Sequence, residues 1–584
     1  MNKWFLWSFV SLITTCFFTS CNETGTDQIK DSKETLATFK MVVDQYPQTF
    51  LVRDVKDYYT SIVVNQVIEG LVKLDPKTLR PEGAVSEKWE VSEDGLTYTF
   101  YLRDNVFFHD HSCFKEGKGR KLNAQDIQYT FELICTKNED GQASHGYSSI
   151  LKETLDGAED FFEGKTKSIS GISISGDYTI SLKIKRPDLN FPAKLSLTNF
   201  GIVAREVVEC GKETDLIGTG PFRYGYDSDD GTPFIALVKN PEYYLKDENG
   251  IQLPYLDTVM IYVQNNQLEQ LDLFERGKVH YIENIPPSRI THVLEDRIQD
   301  FSGEPPLMKL TNDPLLSTQY YSLNINSPAL KDKRVRQALN YAIDRDRILS
   351  NVLKSSPQSG IYGIVPPLPK LLPGYDFSGV KEKGYSYDPE KARELLAEAG
   401  FPNGKGFPTL TLKFNTGTIH SAVADEFRKQ MAKELGINVN LEGLSFEDRL
   451  SDETMAKGDL FRTAWYADYI GAESFLMNFY GKFVPDDINT PSHVNSSRYQ
   501  NEQFDELFEK AQKEKNIEQR NRLFSEAEKI MLEDAPLIVL WYNEQFMLQY
   551  YNVRNLETNS ILYLDLTKVR VKDWTKEEFN RLHP

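Results

Sequence analysis

Residues 84–110 read AVSEKWEVSEDGLTYTFYLRDNVFFHD, and the alternation inside this stretch identifies a strand. From Thr97 to Leu102 every second side chain is apolar or aromatic (Tyr98, Phe100 and Leu102), which is typical of a strand buried on one face. The same period of two recurs in three later segments, Val259–Val263, Leu410–Phe414 and Ile437–Leu441. The chain therefore contains several half-buried strands spread over most of its length.

Helices are equally legible between these strands. Val335, Ala338, Leu339 and Ala342 stand at i, i+3, i+4 and i+7 and form one apolar stripe. Another helix is expected to begin at Asp388-Pro389 and to end at Gly400, since aspartate caps, proline starts and glycine stops a helix. Three further stripes are Ala392, Leu395, Leu396 and Ala399; Phe504, Leu507, Phe508 and Ala511; and Leu523, Ala527, Ile530 and Met531. Mixed sheets flanked by helices, an α/β fold without internal repeats, are predicted.

Length and charge restrict the class of protein. A chain of 584 residues is too long for one hydrophobic core, so two or three domains are expected. The formal net charge of −19 argues against nucleic-acid binding, because phosphate backbones need a basic surface. The same charge mildly favours cationic or zwitterionic ligands, although an acidic surface also simply keeps a protein soluble.

The first residues resemble an export signal. Residues 1–20 hold one charge, Lys3, followed by an apolar run that is shorter than the about 20 residues of a membrane-spanning helix. They end in Phe18-Thr19-Ser20-Cys21, which is similar to a lipoprotein box in which Cys21 is lipidated, with palmitate among the expected acyl chains. An ordinary signal peptide with an incidental cysteine is the alternative. Residues 21–35 are polar and predict a flexible tether to a membrane.

Three cysteines remain after the signal and the lipidation site: Cys113, Cys135 and Cys210. Because the number is odd, at least one of them stays unpaired unless it bonds another chain. A Cys113–Cys135 disulfide is one pairing, and the sequence leaves the pairing undetermined.

Residues 461–469 read FRTAWYADY and place one carboxylate, Asp468, among two tyrosines and a tryptophan. A carboxylate against aromatic surface loses hydration and needs a cation or several donors to stay ionised. If the chain does not supply the cation, the protonated amine of a peptide would. A turn or helix-cap residue is the ordinary alternative for an aspartate after such a strand.

Several motifs occur together in one order. The stretch 84–110 resembles the signature of the family 5 extracellular solute-binding proteins, the peptide-, dipeptide- and nickel-binding components of ABC importers. Further matches follow in the family's order, namely GTGPF at 218–222, the segment from Leu256 to Tyr281, DKRVRQALNYAIDR at 332–345, YDPEKA at 387–392 and APLIVL at 535–540. The chain is identified as a member of that family over about residues 60–545.

The resemblance implies a two-lobed clamp of the periplasmic-binding-protein class with an extra subdomain. The first lobe would contain residues 36–83, 196–265 and 543–584, the inserted subdomain residues 84–195, and the second lobe residues 266–542. A peptide would be buried between the lobes when the hinge closes.

In the peptide-binding members that this chain resembles, a W-x-x-D segment presents an aspartate to the ligand's α-amino group. The matching residues here are Trp465, Tyr466, Ala467 and Asp468, which makes this segment the expected ligand-binding site. The expected partners are a peptide and the ABC permease, to which an exported, lipid-anchored monomer would deliver its cargo on the periplasmic or extracellular face. No nucleic acid is expected as a partner, and no cofactor.

The chain departs from the family pattern at two places. Near the N-terminus the family commonly shows an LDP turn at the cleft, whereas residues 49–55 here read TFLVRDV, which puts ligand contacts there in doubt. An extended segment, His109–Lys121, replaces a short turn. His109, His111 and Cys113 alternate in it and are residue types that bind soft metals, but an ordinary surface hairpin is favoured and no metal site is predicted.

Three other functions are alternatives to peptide import. The chain has no G-x-S-x-G elbow and no H-E-x-x-H pair, so a secreted hydrolase has no specific support and no enzyme is predicted. A metal chelate or a glycan is the alternative ligand, since both occur in the family. A lipid-anchored peptide receptor that feeds no transporter is a third hypothesis, which sequence alone does not separate from an importer component.

Overall fold

The computed structural model describes residues 37–138, 141–228, 233–283, 285–353 and 358–582. The predicted signal, Cys21 and the predicted tether lie outside these residues. The strands are β1 (Thr38–Val43), β2 (Val72–Leu74), β3 (Pro81–Gly83), β4 (Ser86–Val91), β5 (Thr97–Leu102), β6 (Ile172–Ile174), β7 (Thr179–Lys183), β8 (Phe222–Ser228), β9 (Phe234–Lys239), β10 (Thr258–Val263), β11 (Tyr281–Ile282), β12 (Met308–Leu323), β13 (Gln358–Ser359), β14 (Leu410–Asn415), β15 (Val439–Leu444), β16 (Leu460–Tyr466), β17 (Leu537–Tyr550), β18 (Val553–Arg554) and β19 (Arg570–Val571).

Helices alternate with these strands, as the periodicity predicts. They are α1 (Tyr58–Val67), α2 (Ala124–Ile134), α3 (Lys152–Thr154), α4 (Ala158–Phe162), α5 (Phe191–Lys194), α6 (Arg205–Glu209), α7 (Gln267–Glu275), α8 (Pro287–Asp296), α9 (Ile298–Ser302), α10 (Lys333–Tyr341), α11 (Arg345–Arg347), α12 (Phe377–Lys383), α13 (Pro389–Glu398), α14 (Thr418–Leu435), α15 (Phe446–Thr454), α16 (Glu473–Leu476), α17 (Glu502–Lys513), α18 (Ile517–Asp534) and α19 (Lys576–Leu582). Within the described residues, none of these helices is long and apolar enough to cross a membrane.

The predicted elements have the expected physical causes. In β5 the side chains of Tyr98, Phe100 and Leu102 are buried while their neighbours are not, which confirms the strand. Helix α13 starts where predicted, because the Asp388 side chain accepts a hydrogen bond from the amide of Lys391 and Pro389 occupies the first turn. The helix ends before Gly400, whose positive φ of 99° favours glycine.

The principal sheet contains 11 strands of the described chain and is mixed. Its order is β15-β14-β16-β12-β17-β11-β1-β10-β9-β8, with β13 paired to β17. The long antiparallel strands β12 and β17 join the β14–β16 side to the β11–β1–β10 side, and their register shifts between Pro314 and Thr318. A proline cannot donate to the ladder, so the two strands are locally interrupted where the halves of the sheet meet. A separate four-stranded sheet has the order β4-β5-β7-β6.

Apolar side chains form several distinct cores. One, here called the 71–207 core, packs around Phe100, Phe131 and Phe191. Another, the 316–542 core, packs around Phe475, Phe508 and Met531. Since each core draws on a different part of the chain, the fold has several packing centres, as its length predicts. The lobe boundaries stay predictions.

The cysteines pair differently from the pairing considered above. Cys113 is bonded to Cys210, 97 residues away in sequence, and Cys135 is free and buried. The Cys113–Cys135 hypothesis is therefore wrong. Cys135 ends α2 inside the 71–207 core, where burial raises the pKa of its thiol to about 12. The disulfide instead ties the extended segment His109–Lys121 to the end of α6.

Candidate functional site

Strand β16 leads into the site and has one open edge. On one side it pairs with β12 over its full length, from Leu460 opposite Leu323 to Tyr466 opposite Ser317. On the other side, among the described residues, β14 pairs only with Leu460 and Phe461. The backbone groups from residue 462 onward are thus open on this edge, and an extended peptide can add to such an edge as a further strand.

Asp468 follows this strand directly. The amide of Ala467 donates to the carbonyl of Leu316 (2.9 Å), and the amide of Asp468 donates to Ser474 Oγ (3.4 Å). Water reaches the Asp468 side chain, yet burial by the surrounding protein raises its pKa from 3.8 to about 6. A carboxylate that water reaches while the surrounding protein disfavours its charge gains from a cation brought by a ligand.

The Asp468 carboxylate has no cationic partner among the described residues. Its pKa shift has desolvation as its cause, with no charge acting to lower it. Lys194 is committed elsewhere, because its ammonium bonds Asp188 and Glu473. The carboxylate does not cap α16 either, since Ala472 occupies that position and no side-chain cap is formed. Asp468 is therefore not a helix cap; it lies in a bend between β16 and α16, and its role as a ligand anchor stays a prediction.

The three residues before Asp468 have different surroundings. Trp465 packs against the 316–542 core and donates from Nε1 to Ser474 Oγ (3.4 Å). Tyr466 is exposed, and its hydroxyl accepts a hydrogen bond from Asn543 Nδ2 (3.0 Å). Ala467 is buried and its amide is already bonded, so its contribution is backbone geometry rather than a side-chain contact. Of these three, Tyr466 offers the largest open surface beside Asp468.

Arg462 is a candidate that the sequence analysis missed. It lies on β16 on the same face as Tyr466, since the two are four residues apart in a strand. Its Nη2 donates to Gln319 Oε1 (2.6 Å) and its Nη1 to Asn415 Oδ1 (3.4 Å), and among the described residues no carboxylate lies within ion-pair distance of it. Burial lowers the pKa of this guanidinium to about 10. A charged residue inside a strand of otherwise apolar, aromatic and small residues was the signal that could have revealed it.

Two tyrosines of α1 approach the strand from another part of the chain. Tyr59 donates to Asp44 Oδ2 (3.0 Å), and Tyr58 donates to Glu283 Oε1 (2.6 Å). Burial first, then Asp44, Glu283 and the nearby Tyr466 raise the pKa of Tyr59. Tyr466 and Tyr59 are therefore near enough for their charges to interact, although they lie about 400 residues apart in the chain.

The alternating residues of the extended segment are engaged separately. His109 Nε2 bonds the carbonyl of Gly220 (3.0 Å), and His111 Nε2 lies 3.2 Å from Asp215 Oδ2. Cys113 forms the disulfide. Within the described residues no group of three or more His, Cys, Asp or Glu side chains is arranged to hold a metal ion.

The chain matches the family described as "Bacterial extracellular solute-binding proteins, family 5 Middle" over residues 80–486. It belongs to this family. The oligopeptide-binding protein OppA of Bacillus subtilis (strain 168) is 25% identical to this family 5 protein over 568 residues, which cover 94% of this chain and 96% of that one. Heme-binding protein A of Haemophilus influenzae is 27% identical over 496 residues, 82% of each chain.

A solved structure shows the same fold. The periplasmic binding protein DppA of Helicobacter pylori, in complex with the peptide STSA, superimposes with a TM-score of 0.75 at 23% identity. The superposition covers 92% of this chain and 98% of that one. The predicted two-lobed α/β clamp is confirmed, and the resemblance stated from the sequence motifs is confirmed with it.

Proposed function

We propose that this family 5 protein captures peptides between its two lobes, with the free amino terminus of the peptide held by Asp468. The observation that carries the proposal is the unpaired carboxylate: water reaches Asp468, the surrounding protein raises its pKa, and it has no cation within the described residues. A ligand ammonium would supply that cation, and its charge-assisted hydrogen bonds would be worth about 1.5–3 kcal/mol each. The proposal fits the printed names of OppA and DppA, which bind oligopeptides and the peptide STSA.

The rest of the peptide would lie along the open edge of β16. Main-chain hydrogen bonds to an open strand edge give affinity that tolerates many side chains, because every peptide has the same backbone. Tyr466 would supply rigid apolar surface with a polar tip, and Trp465 would support it from behind. Arg462, a guanidinium without a carboxylate partner in the described chain, would attract the carboxylate end or an acidic side chain of a short peptide.

Export and anchoring complete the proposed role. Cys21 would be lipidated after removal of residues 1–20 and would hold the protein on the outer face of a membrane, with residues 21–35 as its tether. From there the loaded protein would deliver peptide to the permease of an ABC importer as a monomer. The proposed role is binding, which is the role that the description of its family names.

A non-peptide solute is the competing hypothesis, because one relative is named a heme-binding protein. The charge of Asp468 favours a peptide, because its carboxylate would pair with the positive amino group of a peptide and would repel the negative propionates of heme. A glycan would likewise leave the carboxylate without a cation unless it carried an amine, whereas a metal chelate would bring a cation in its metal ion.

Isothermal calorimetry of the wild-type protein tests the proposal. Free-amine trialanine and pentaalanine are compared with their N-acetylated forms, which keep the backbone and lose the charge. We expect the free peptides to bind more tightly, and equal affinity of the two forms would contradict the role of Asp468. Native mass spectrometry of the purified protein supplies the unbiased control, since it weighs whatever the cleft carried from the cell.

A further inference from the structure

A buried polar cluster joins the 71–207 core to the 316–542 core. Lys194, at the end of α5, places its ammonium 2.7 Å from Asp188 Oδ2 and 3.2 Å from Glu473 Oε1. Asn190 Nδ2 donates to the other oxygen of Glu473 (2.9 Å), and Gln512 Nε2 donates to Oε1 (2.9 Å). The side chains of Lys194, Asp188 and Glu473 are 8%, 11% and 6% exposed, so the ion pairs are shielded from water.

Lys194 and Glu473 each help to keep the other ionised. Burial acts to lower the pKa of Lys194, but Asp188 and Glu473 raise it well above its ordinary value. Burial likewise opposes ionisation of Glu473, while the Lys194 ammonium and three hydrogen bonds hold the pKa of Glu473 below its usual range. Removing either partner would leave an uncompensated buried charge, which costs far more than the loss of an exposed pair.

The cluster lies where two separately packed regions meet. Phe191 and Leu195, on either side of the cluster, belong to the 71–207 core, and Ala472 and Phe475 belong to the 316–542 core. Charged groups at such a contact can be rehydrated when the regions separate, whereas apolar surface cannot. The chemistry of this contact is therefore suited to opening and closing.

The same segment positions the ligand anchor. Glu473 is followed by Ser474, whose Oγ accepts hydrogen bonds from the amide of Asp468 and from Trp465 Nε1 (3.4 Å each). On the other side of the segment, Lys194 Nζ lies 5.4 Å from the ring centroid of Tyr469, the residue that follows Asp468. The segment 468–473 is thus fixed near one end by Ser474 and near the other by the Lys194 ammonium of this cluster.

We propose that Lys194 is a positioning residue that latches the inserted segment 188–194 onto Glu473 when the clamp is closed, and that this latch sets how long a bound peptide stays. The inference rests on the proposed function in that the ligand is taken to lie beside Asp468. Escape of the ligand requires the two regions to separate, and separation breaks the Lys194–Glu473 pair. Ligand entry precedes latching, so the latch acts on dissociation rather than on association.

Stopped-flow dissociation of the tightest peptide from the calorimetric comparison tests the latch in full-length protein. The variants are Lys194→Met, Glu473→Gln and the double variant, with Lys73→Met as the matched control. Lys73 also makes a shielded ion pair, 2.9 Å from Asp565, whose neighbours Leu564 and Leu566 belong to a different core from Glu473's neighbours. We expect Lys194→Met to raise the dissociation rate by about tenfold or more with little change in the association rate.

The double variant separates a latch from a general loss of stability. Lys194→Met leaves Glu473 and Asp188 facing each other without a cation, so adding Glu473→Gln is expected to restore part of the slow dissociation. Dissociation within twofold of wild type in Lys194→Met, or an equal acceleration in Lys73→Met, would overturn the inference. Equal binding of free and acetylated peptide by the wild type would contradict the proposed function instead.

If no peptide binds the wild type, the hydrogen-exchange rates of the backbone amides of residues 469–476 in the ligand-free protein test whether Lys194 acts as a latch. Faster exchange in Lys194→Met than in Lys73→Met is the result expected for a latch. Identical exchange in the two variants would refute it.

Discussion

Asp468→Asn is the most informative perturbation of the site. Asparagine keeps the shape of the side chain and removes its charge. In the ligand-free protein the substitution should be well tolerated, because the carboxylate makes no ion pair with the described residues and burial by the surrounding protein disfavours its charged form. Any large effect should therefore appear in ligand binding and not in folding. Thermal unfolding of the ligand-free variant checks this first expectation.

The magnitude follows from what the ligand ammonium would lose. A hydrogen bond to a charged group contributes about 1.5–3 kcal/mol, and leaving a buried charge unpaired costs about 3–5 kcal/mol. Water reaches the Asp468 side chain, so part of that cost is screened. We expect a loss of about 2–4 kcal/mol for free-amine peptides, which corresponds to a roughly 30-fold to 700-fold weaker Kd.

Calorimetry at pH 7 measures this loss against two controls. The acetylated peptide should bind wild type and Asp468→Asn with similar affinity, since it brings no ammonium to the site. Asp104→Asn, at an exposed turn after β5, makes the same chemical change away from β16 and should leave affinity unchanged. Retention of wild-type affinity for free-amine peptides by Asp468→Asn would refute the reasoning, and so would an equal loss for the acetylated ones.

Four further outcomes are expected. The wild type's affinity for free-amine peptides should fall as the pH drops through about 6, because Asp468 becomes protonated, and Asp468→Asn should show no such fall in a calorimetric pH series. The stability of the ligand-free protein should depend on pH in the opposite direction. Because the pKa of Asp468 is raised in the folded state, this group favours folding at low pH. Its contribution to stability is lost as the pH rises from 3.8 through about 6. Cys113→Ser should lower the free energy of unfolding by about 2–5 kcal/mol in urea titrations, since the disulfide closes a loop of about 100 residues, whereas Cys135→Ala should cost less. Cys21→Ser should shift the exported protein from the membrane fraction to the soluble fraction. Mass spectrometry should detect no acyl chains on the variant, and unchanged fractionation would contradict lipidation.

Local elements could be predicted from the sequence because burial periodicity is written into neighbouring residues. The alternation of residues 97–102 predicted β5, and the stripe of Val335, Ala338, Leu339 and Ala342 predicted a buried helix face whose members are all almost fully buried. The position of Asp468 after a strand was equally legible, since β16 ends at Tyr466. Such patterns show which side of a single helix or strand faces the core, and a stretch of a few residues is enough to recognise them.

Pairing between distant residues was decided by the tertiary structure alone. Cys113 bonds Cys210 and not Cys135, because the topology brings α6 beside the extended segment while Cys135 points into the 71–207 core. Neither the missing cation at Asp468 nor the buried contact of Lys194 with Glu473, 279 residues away, has a local signature. The sequence by itself determined where a carboxylate stands on its strand. The fold decided that its charge has no cationic partner among the described residues, because desolvation and ion pairing depend on everything packed around a group and not on its neighbours in the chain.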